Sequence, residues 1–320
     1  MTNFAEAIHY LRESRLLCDW PVLIEIMEMM ADKNPSHWKL PFVVCQALGG
    51  TQDQALPAMA SMAALHTTII MVDDLLDSDQ RFESLGYSNG EVANFAVALQ
   101  AIGLESISRS GYDQTNQILI MNRLNEMLAS TSLGQHWDTH SYSLDESTYW
   151  HIAQAKSSPF FGAAFFAGAL AGDASLKTAE ALYDIGVIYG ILVQIHDDIK
   201  DSLEVPAAAD WKKGNSLPIL FASKVNHPQK EQFLILQTKI DDPQIVKEAQ
   251  KILFSCGAIS YCTHQAIHHY EKASAMTKKI DLINQTSIIN LLDEINSPIH
   301  HLLNTEPNIK SPNNQLQSTG

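Results

Sequence analysis

The chain has 320 residues and carries 36 Asp plus Glu against 21 Lys plus Arg, a formal net charge of −15. It has no run of Lys or Arg, so it lacks the basic patch that holds nucleic acid or anionic lipid, and neither is expected as a partner. Apolar residues make up 46% and charged residues 18% of the chain, which supplies a large core and excludes a disordered protein.

The apolar residues recur with helical spacing almost throughout. In chain order they predict helices over 3–16, 20–32, 38–49, 53–78, 90–109, 113–133, 145–172, 175–203, 215–224, 228–238, 243–255, 257–278 and 285–303. Breakers separate them at Asn34-Pro35, Gly49-Gly50, Tyr87-Ser88-Asn89-Gly90, Ser110-Gly111 and Gly172-Asp173. No Asn-Gly hairpin stands between β-branched runs, so the expected class is all-α. One helical domain is expected over 1–303, followed by a polar, Pro/Asn-rich, disordered tail over 304–320.

The N-terminus is polar and mixed in charge, unlike a signal peptide. The longest mostly apolar run, 159–172, is shorter than the roughly 20 residues a bilayer span needs. It reads as a helix buried on all sides, and no integral membrane segment is expected. Cys18, Cys45, Cys256 and Cys262 form no CxxC pair, which fits a reduced, cytoplasmic protein.

One motif occurs twice. Asp73-Asp74-Leu75-Leu76-Asp77 ends the apolar stretch HTTIIMV, and Asp197-Asp198-Ile199-Lys200-Asp201 ends YGILVQIH. Positions i and i+4 share a helix face, so Asp73 pairs with Asp77 and Asp197 with Asp201. Three carboxylates at a helix C-terminus repel one another and the macrodipole; a cation offsets this. Oxygen ligands without His or Cys suit Mg²⁺, which keeps several waters and bridges to substrate phosphates. Two facing clusters would clamp a diphosphate through Mg²⁺ ions and let its C–O bond ionise.

With these residues the sequence resembles the trans-isoprenyl diphosphate synthase (polyprenyl synthetase) family, over about residues 36–275. The resemblance takes in His66, seven residues before the first motif, and Gly134-Gln135-x-x-Asp138. It continues through Lys156-Ser157, Gly190-x-x-x-Gln194-Ile195-x-Asp197-Asp198, and Asp210-Trp211-Lys212-Lys213-Gly214-Asn215-Ser216-Leu217-Pro218. It implies an isoprenoid-synthase helical bundle around a central apolar pocket, a homodimer, a prenyl diphosphate substrate and three Mg²⁺ ions. It implies Asp73, Asp77 and Asp197 as direct Mg²⁺ ligands, with Asp74, Asp198 and Asp201 supporting through water. Lys156 and Lys212 or Lys213 would bind the allylic diphosphate, and Gln135, Asp138 and Gln194 would line the site near the reacting carbon.

Where chain-elongating members hold isopentenyl diphosphate with Gly-Lys-Arg-x-Arg-Pro, this chain reads Ser36-His37-Trp38-Lys39-Leu40-Pro41. Where they carry an arginine pair after the first motif, it has Phe82-Glu83. Two or three lost charge-assisted hydrogen bonds, at roughly 1.5–3 kcal/mol each, would weaken diphosphate binding by orders of magnitude. This favours an enzyme that ionises one allylic diphosphate as a terpene synthase or cyclase. The alternative is a prenyltransferase that holds isopentenyl diphosphate by Lys39, His66 and Arg81. Phe160 and Phe161, with Phe95, Phe165 and Phe166, are available to face a cation, although aromatics at helical spacing are more often core. Thr68 and Ile69, five and four residues before Asp73, are not aromatic. In the family, bulky aromatics there shorten the pocket, so a farnesyl or longer chain is expected.

Rival chemistries fit less well. A metal phosphohydrolase would use His196-Asp197 but leaves the Asp73 cluster without a role. A di-iron bundle needs two Glu-x-x-His motifs, and only Glu6-x-x-His9 stands out. A degenerate regulatory subunit would be free to lose its aspartates, yet all six are present.

Overall fold

The computed structural model describes residues 4–77, 79–140 and 145–305. Among these there is helix and no strand, as expected. The helices run α1 Phe4–Arg12, α2 Pro21–Asp32, α3 Leu40–Ala47, α4 Gln52–Asp77, α5 Asn89–Ser108, α6 Gln114–His140, α7 Glu146–Lys156 and α8 Ser158–Ala171. Then come α9 Leu176–Leu203, α10 Ala209–Lys213, α11 Leu217–Lys224, α12 Lys230–Gln237, α13 Pro243–Ser255, α14 Ala258–Thr277 and α15 Gln285–Thr305. Short 3₁₀ turns occupy Ser36–Lys39 and Glu83–Leu85. The expected tail after residue 305 lies outside the described residues.

Local chemistry sets many of the boundaries. Ser88 and Glu91 form a capping box at the start of α5, which satisfies otherwise orphaned N–H groups. The Asp242 side chain accepts from Gln244 N at the start of α13, and Pro243 takes the first position, where a missing N–H costs nothing. The single helix expected over 145–172 is two: Pro159 has no N–H to continue the ladder, and the chain breaks at Ser157. Helix α6 runs seven residues past its expected end at 133, because packing sets helix ends as much as local propensity does.

The chain forms two compact units. The first takes in Met1–Ser143, Trp150–Ile191 and Lys272–Leu291; the second takes in Leu144–Tyr149, Leu192–Glu271 and Leu292–Gly320. In the first, α4 packs on α5, α3 and α1, and α8 packs on α3, α4 and α6. All fourteen residues of α8 are buried, as its uniformly apolar sequence requires. In the second, α11, α12 and α13 pack together around Trp211, Phe233 and Leu253.

The membrane expectation rested on the run 159–172, yet α4 and α9 exceed it. Both have the length and apolarity of a span, and most of each apolar stretch is buried inside the protein. That burial is how core helices read.

Candidate active site

In the first unit, the first motif forms the C-terminal end of α4. Asp73 is 40% exposed and Asp77 is exposed, whereas Asp74, one residue round the helix, is 6% exposed. Asp74 turns inward and pairs with Arg81 Nε at 3.3 Å. Burial, only partly opposed by Arg81, pushes its carboxyl up to about 6. Burial likewise raises the Asp73 pKa, and Lys156 opposes that shift.

Lys156, at the end of α7, joins this motif to α6. Its Nζ donates to Asp138 Oδ2 at 2.8 Å and approaches Asp73 Oδ1 at 3.6 Å. Burial works against its charge, but Asp138 and Asp73 outweigh that and hold its pKa above the ordinary value. Gly134 permits the arrangement: a Cβ there would stand 2.3 Å from the Lys156 backbone nitrogen. Gln135, one residue on, is buried, and its Nε2 has no hydrogen-bond partner among the described residues.

The segment that replaces the basic motif is a 3₁₀ turn beside α4. Trp38, fully buried, donates from Nε1 to His66 Nδ1 at 3.1 Å. The His37 ring meets His66 at 5.8 Å and Phe161 at 5.0 Å, and His66 lies 5.1 Å from Phe160. With Nδ1 accepting, His66 is neutral. Burial, then the charges of His37 and Arg81, push its pKa down to about 3. Arg81 is held between Asp74 and Asp79, and Phe82 is part of the core.

The other predicted aromatics are packing residues. Phe95 lies against Trp20 and Tyr87. Phe165 and Phe166 are fully buried, and Arg123 covers the face of Phe166 at 4.9 Å. The Thr68 hydroxyl donates to the carbonyls of Ala64 and Ala96 at 3.1 and 3.3 Å, so it sits in the α4–α5 contact. Ile69 is half-buried. A groove of about 810 Å³ lies between α1 and α2, lined by Phe4, Ile8, Arg12 and Glu28 among others; none of the predicted site residues borders it.

In the second unit, the second motif lies in the last two turns of α9. Asp197 is 57% exposed and Asp201 is half-buried. Asp198 is 3% exposed and accepts three hydrogen bonds. These come from Gln194 Nε2 at 2.8 Å, the Tyr149 hydroxyl at 2.7 Å and the backbone N–H of Leu217 at 2.6 Å. Nothing in the sequence announced Tyr149, which the structure buries on α7. Lys212 reaches outward to Asp241 at 2.6 Å. Lys213 is exposed.

The acidic residues fit magnesium. Asp73 Oδ1 is buried without a hydrogen-bond partner among the described residues, and the donors are all hard oxygens. No three His, Cys, Asp or Glu side chains among the described residues form a complete metal cage. Magnesium bound through one or two carboxylates and substrate phosphates needs none.

Because Trp38 fixes His66 in its neutral form, acid should weaken the fold. The unfolded chain binds a proton at His66 near pH 6.5, the folded chain only near 3, so stability present above pH 6.5 is lost as pH falls toward 3. Asp74 has the opposite sign between its ordinary value and about 6. Wild type and His66→Gln share that contribution, so their difference isolates His66. Thermal melts should show a steeper loss between pH 7 and 5 for wild type; parallel curves would contradict this.

Residues 39–253, more than half of the chain, match the polyprenyl synthetase family. The chain belongs to that family and is an enzyme of its kind. It is similar to the geranylfarnesyl diphosphate synthase of Aeropyrum pernix, at 22% identity over 274 residues, covering 79% of this chain and 86% of that protein. In fold it is similar to a decaprenyl diphosphate synthase from Rhodobacter capsulatus, with TM-score 0.78, 17% identity, and coverage of 93% and 96%. It is also similar to a polyprenyl synthase from Caulobacter crescentus complexed with calcium and isoprenyl diphosphate, with TM-score 0.76, 20% identity, and coverage of 92% and 94%.

Proposed function

We propose that this protein is a Mg²⁺-dependent prenyltransferase that condenses isopentenyl diphosphate with an allylic diphosphate of farnesyl size or longer. The observation that carries this reading is Lys156 poised between Asp138 and Asp73, with a buried Asp73 oxygen that has no hydrogen bond among the described residues. The terpene-synthase chemistry expected from the missing arginines is not supported by the relatives. They are named as prenyl diphosphate synthases, and the reading moves to the prenyltransferase alternative.

Asp73 and Asp77 would hold magnesium at the first motif, and Asp197 and Asp201 would hold it at the second. When bound, the metal supplies neutralisation of the departing diphosphate. Lys156 would contact phosphate oxygens as a point charge, and Lys212 or Lys213 could do the same beside the second motif. Gln135 and Asp138 line the reacting carbon. Phe160 and Phe161 exclude water and turn aromatic surface toward the allylic cation. The C–O bond of the allylic substrate breaks, diphosphate departs with the bonding pair, and C1 bonds to the terminal alkene carbon of isopentenyl diphosphate; the cationic adduct then loses a proton to the released diphosphate, which restores a double bond. His66 offers one neutral N–H donor to isopentenyl diphosphate, and Lys39 directly follows Trp38, the residue that hydrogen-bonds His66.

The test is product analysis. Purified protein with Mg²⁺ and geranyl, farnesyl or geranylgeranyl diphosphate is expected to yield longer prenyl diphosphates only when isopentenyl diphosphate is present. Hydrocarbons or alcohols formed equally well without it would overturn the prenyltransferase reading.

We also propose that the active form is a homodimer. Val97 on α5 and Ile118 and Leu133 on α6 are exposed apolar residues of the kind an interface covers. Sedimentation equilibrium should give twice the chain mass for wild type and a lower mass for Val97→Asp. A wild-type monomer would contradict this.

A further inference from the structure

In both motifs the second aspartate behaves unlike its neighbours. On a helix, adjacent side chains diverge by about 100°, so residues one and five of DDxxD share a face and residue two leaves it. Asp74 and Asp198 are 6% and 3% exposed, and each is engaged by protein groups. Asp198 is the better furnished. Its carboxylate has about four lone-pair sites, and three take donors from α7, α9 and the first residue of α11. Little of it remains for a metal or a metal-bound water.

We infer that Tyr149 and Asp198 form a latch that positions the second aspartate cluster, with Tyr149 a positioning residue acting through Asp198. The inference rests on the prenyl diphosphate reading above. The Tyr149 hydroxyl and the α11 N-terminus grip Asp198 from two elements and fix the rotation of the last turns of α9. That rotation sets the direction in which the face shared by Asp197 and Asp201 points. The N–H of Leu217 is an orphan donor at a helix start, so the same carboxylate also seats α11, directly after the Lys213–Ser216 segment. Charge-assisted hydrogen bonds of 2.6–2.8 Å are the stronger kind.

The experiment uses the full chain and Tyr149→Phe, which removes one hydroxyl. Two quantities are read: the Mg²⁺ concentration for half-maximal turnover of an allylic diphosphate, and the thermal upshift caused by Mg²⁺ with inorganic pyrophosphate, which needs no turnover. The half-saturating Mg²⁺ concentration should rise about tenfold, the usual scale for losing a group that orients a ligand. The upshift should shrink, and KM for the allylic substrate at saturating Mg²⁺ should hold. In an Asp198→Asn background the same change should add little, since both act through one contact. Should Asp198→Asn not fold, Tyr149→Phe alone decides. Wild-type behaviour in Tyr149→Phe, or effects of the two variants that multiply, would overturn the latch. A wild type that neither shifts with Mg²⁺–pyrophosphate nor releases pyrophosphate would overturn the underlying reading instead.

Discussion

Replacing Asp73 by Asn should lower kcat/KM for the allylic diphosphate about 10³-fold, roughly 4 kcal/mol of transition-state stabilisation. Asn keeps the shape and one oxygen but not the charge that a hard cation requires. Asp73 sits at the end of α4, where the helix dipole already disfavours negative charge, and its pKa is raised chiefly by burial. Both conditions are tolerable in a group that a cation will neutralise. The change should therefore raise the Mg²⁺ requirement while leaving the fold in place or firmer. Steady-state pyrophosphate release across a Mg²⁺ series, beside a thermal melt, checks both halves. Unchanged Mg²⁺ dependence would remove Asp73 from the metal site.

Lys156→Met should cost roughly 10²- to 10³-fold in kcat/KM, the scale of one or two charge-assisted hydrogen bonds at about 1.5–3 kcal/mol each. Met keeps the length and apolar stem of lysine, so the break between α7 and α8 should survive. The lost cation leaves Asp138 and Asp73, which it now bridges, in mutual repulsion. Part of the loss should therefore appear as a higher KM. Arginine should not rescue it: the Lys156 backbone lies against Gly134, and a planar fork does not replace a point charge in such a place. A variant with wild-type kinetics would show that the Lys156–Asp138 pair is structural only.

Much of this was readable from residue order. Helical spacing marked the helices, and repulsion within DDxxD called for a cation. Gly134-Gln135-x-x-Asp138 and Lys156 were named apart in the sequence and meet in the structure through one glycine. Other features depended on which neighbour packs against which face. Asp74, Asp198 and Asp201 were read as supporting magnesium through water, but Asp74 and Asp198 turn inward to Arg81, Tyr149 and Leu217. Helical geometry sends residue two off the shared face; only the fold says what it finds there. Arg81 was read as an acceptor-site cation, whereas two carboxylates hold it. Lys212 and Lys213 were equivalent in sequence, and the ion pair of Lys212 with Asp241 was not legible there. The break at Ser157 was hidden by the apolar run after it. The Trp38–His66 hydrogen bond joins residues 28 apart, and no local pattern encodes it.

The central claim is that the first aspartate motif, beside Lys156, holds an allylic diphosphate through magnesium. A crystal structure of the protein with Mg²⁺ and an unreactive allylic thiolodiphosphate tests it most directly. It should show Asp73 or Asp77 bound through magnesium to the diphosphate, with Lys156 on its oxygens and the prenyl chain running along Phe160. A diphosphate seated away from Asp73 and Lys156, or bound with no magnesium on the first motif, would contradict it.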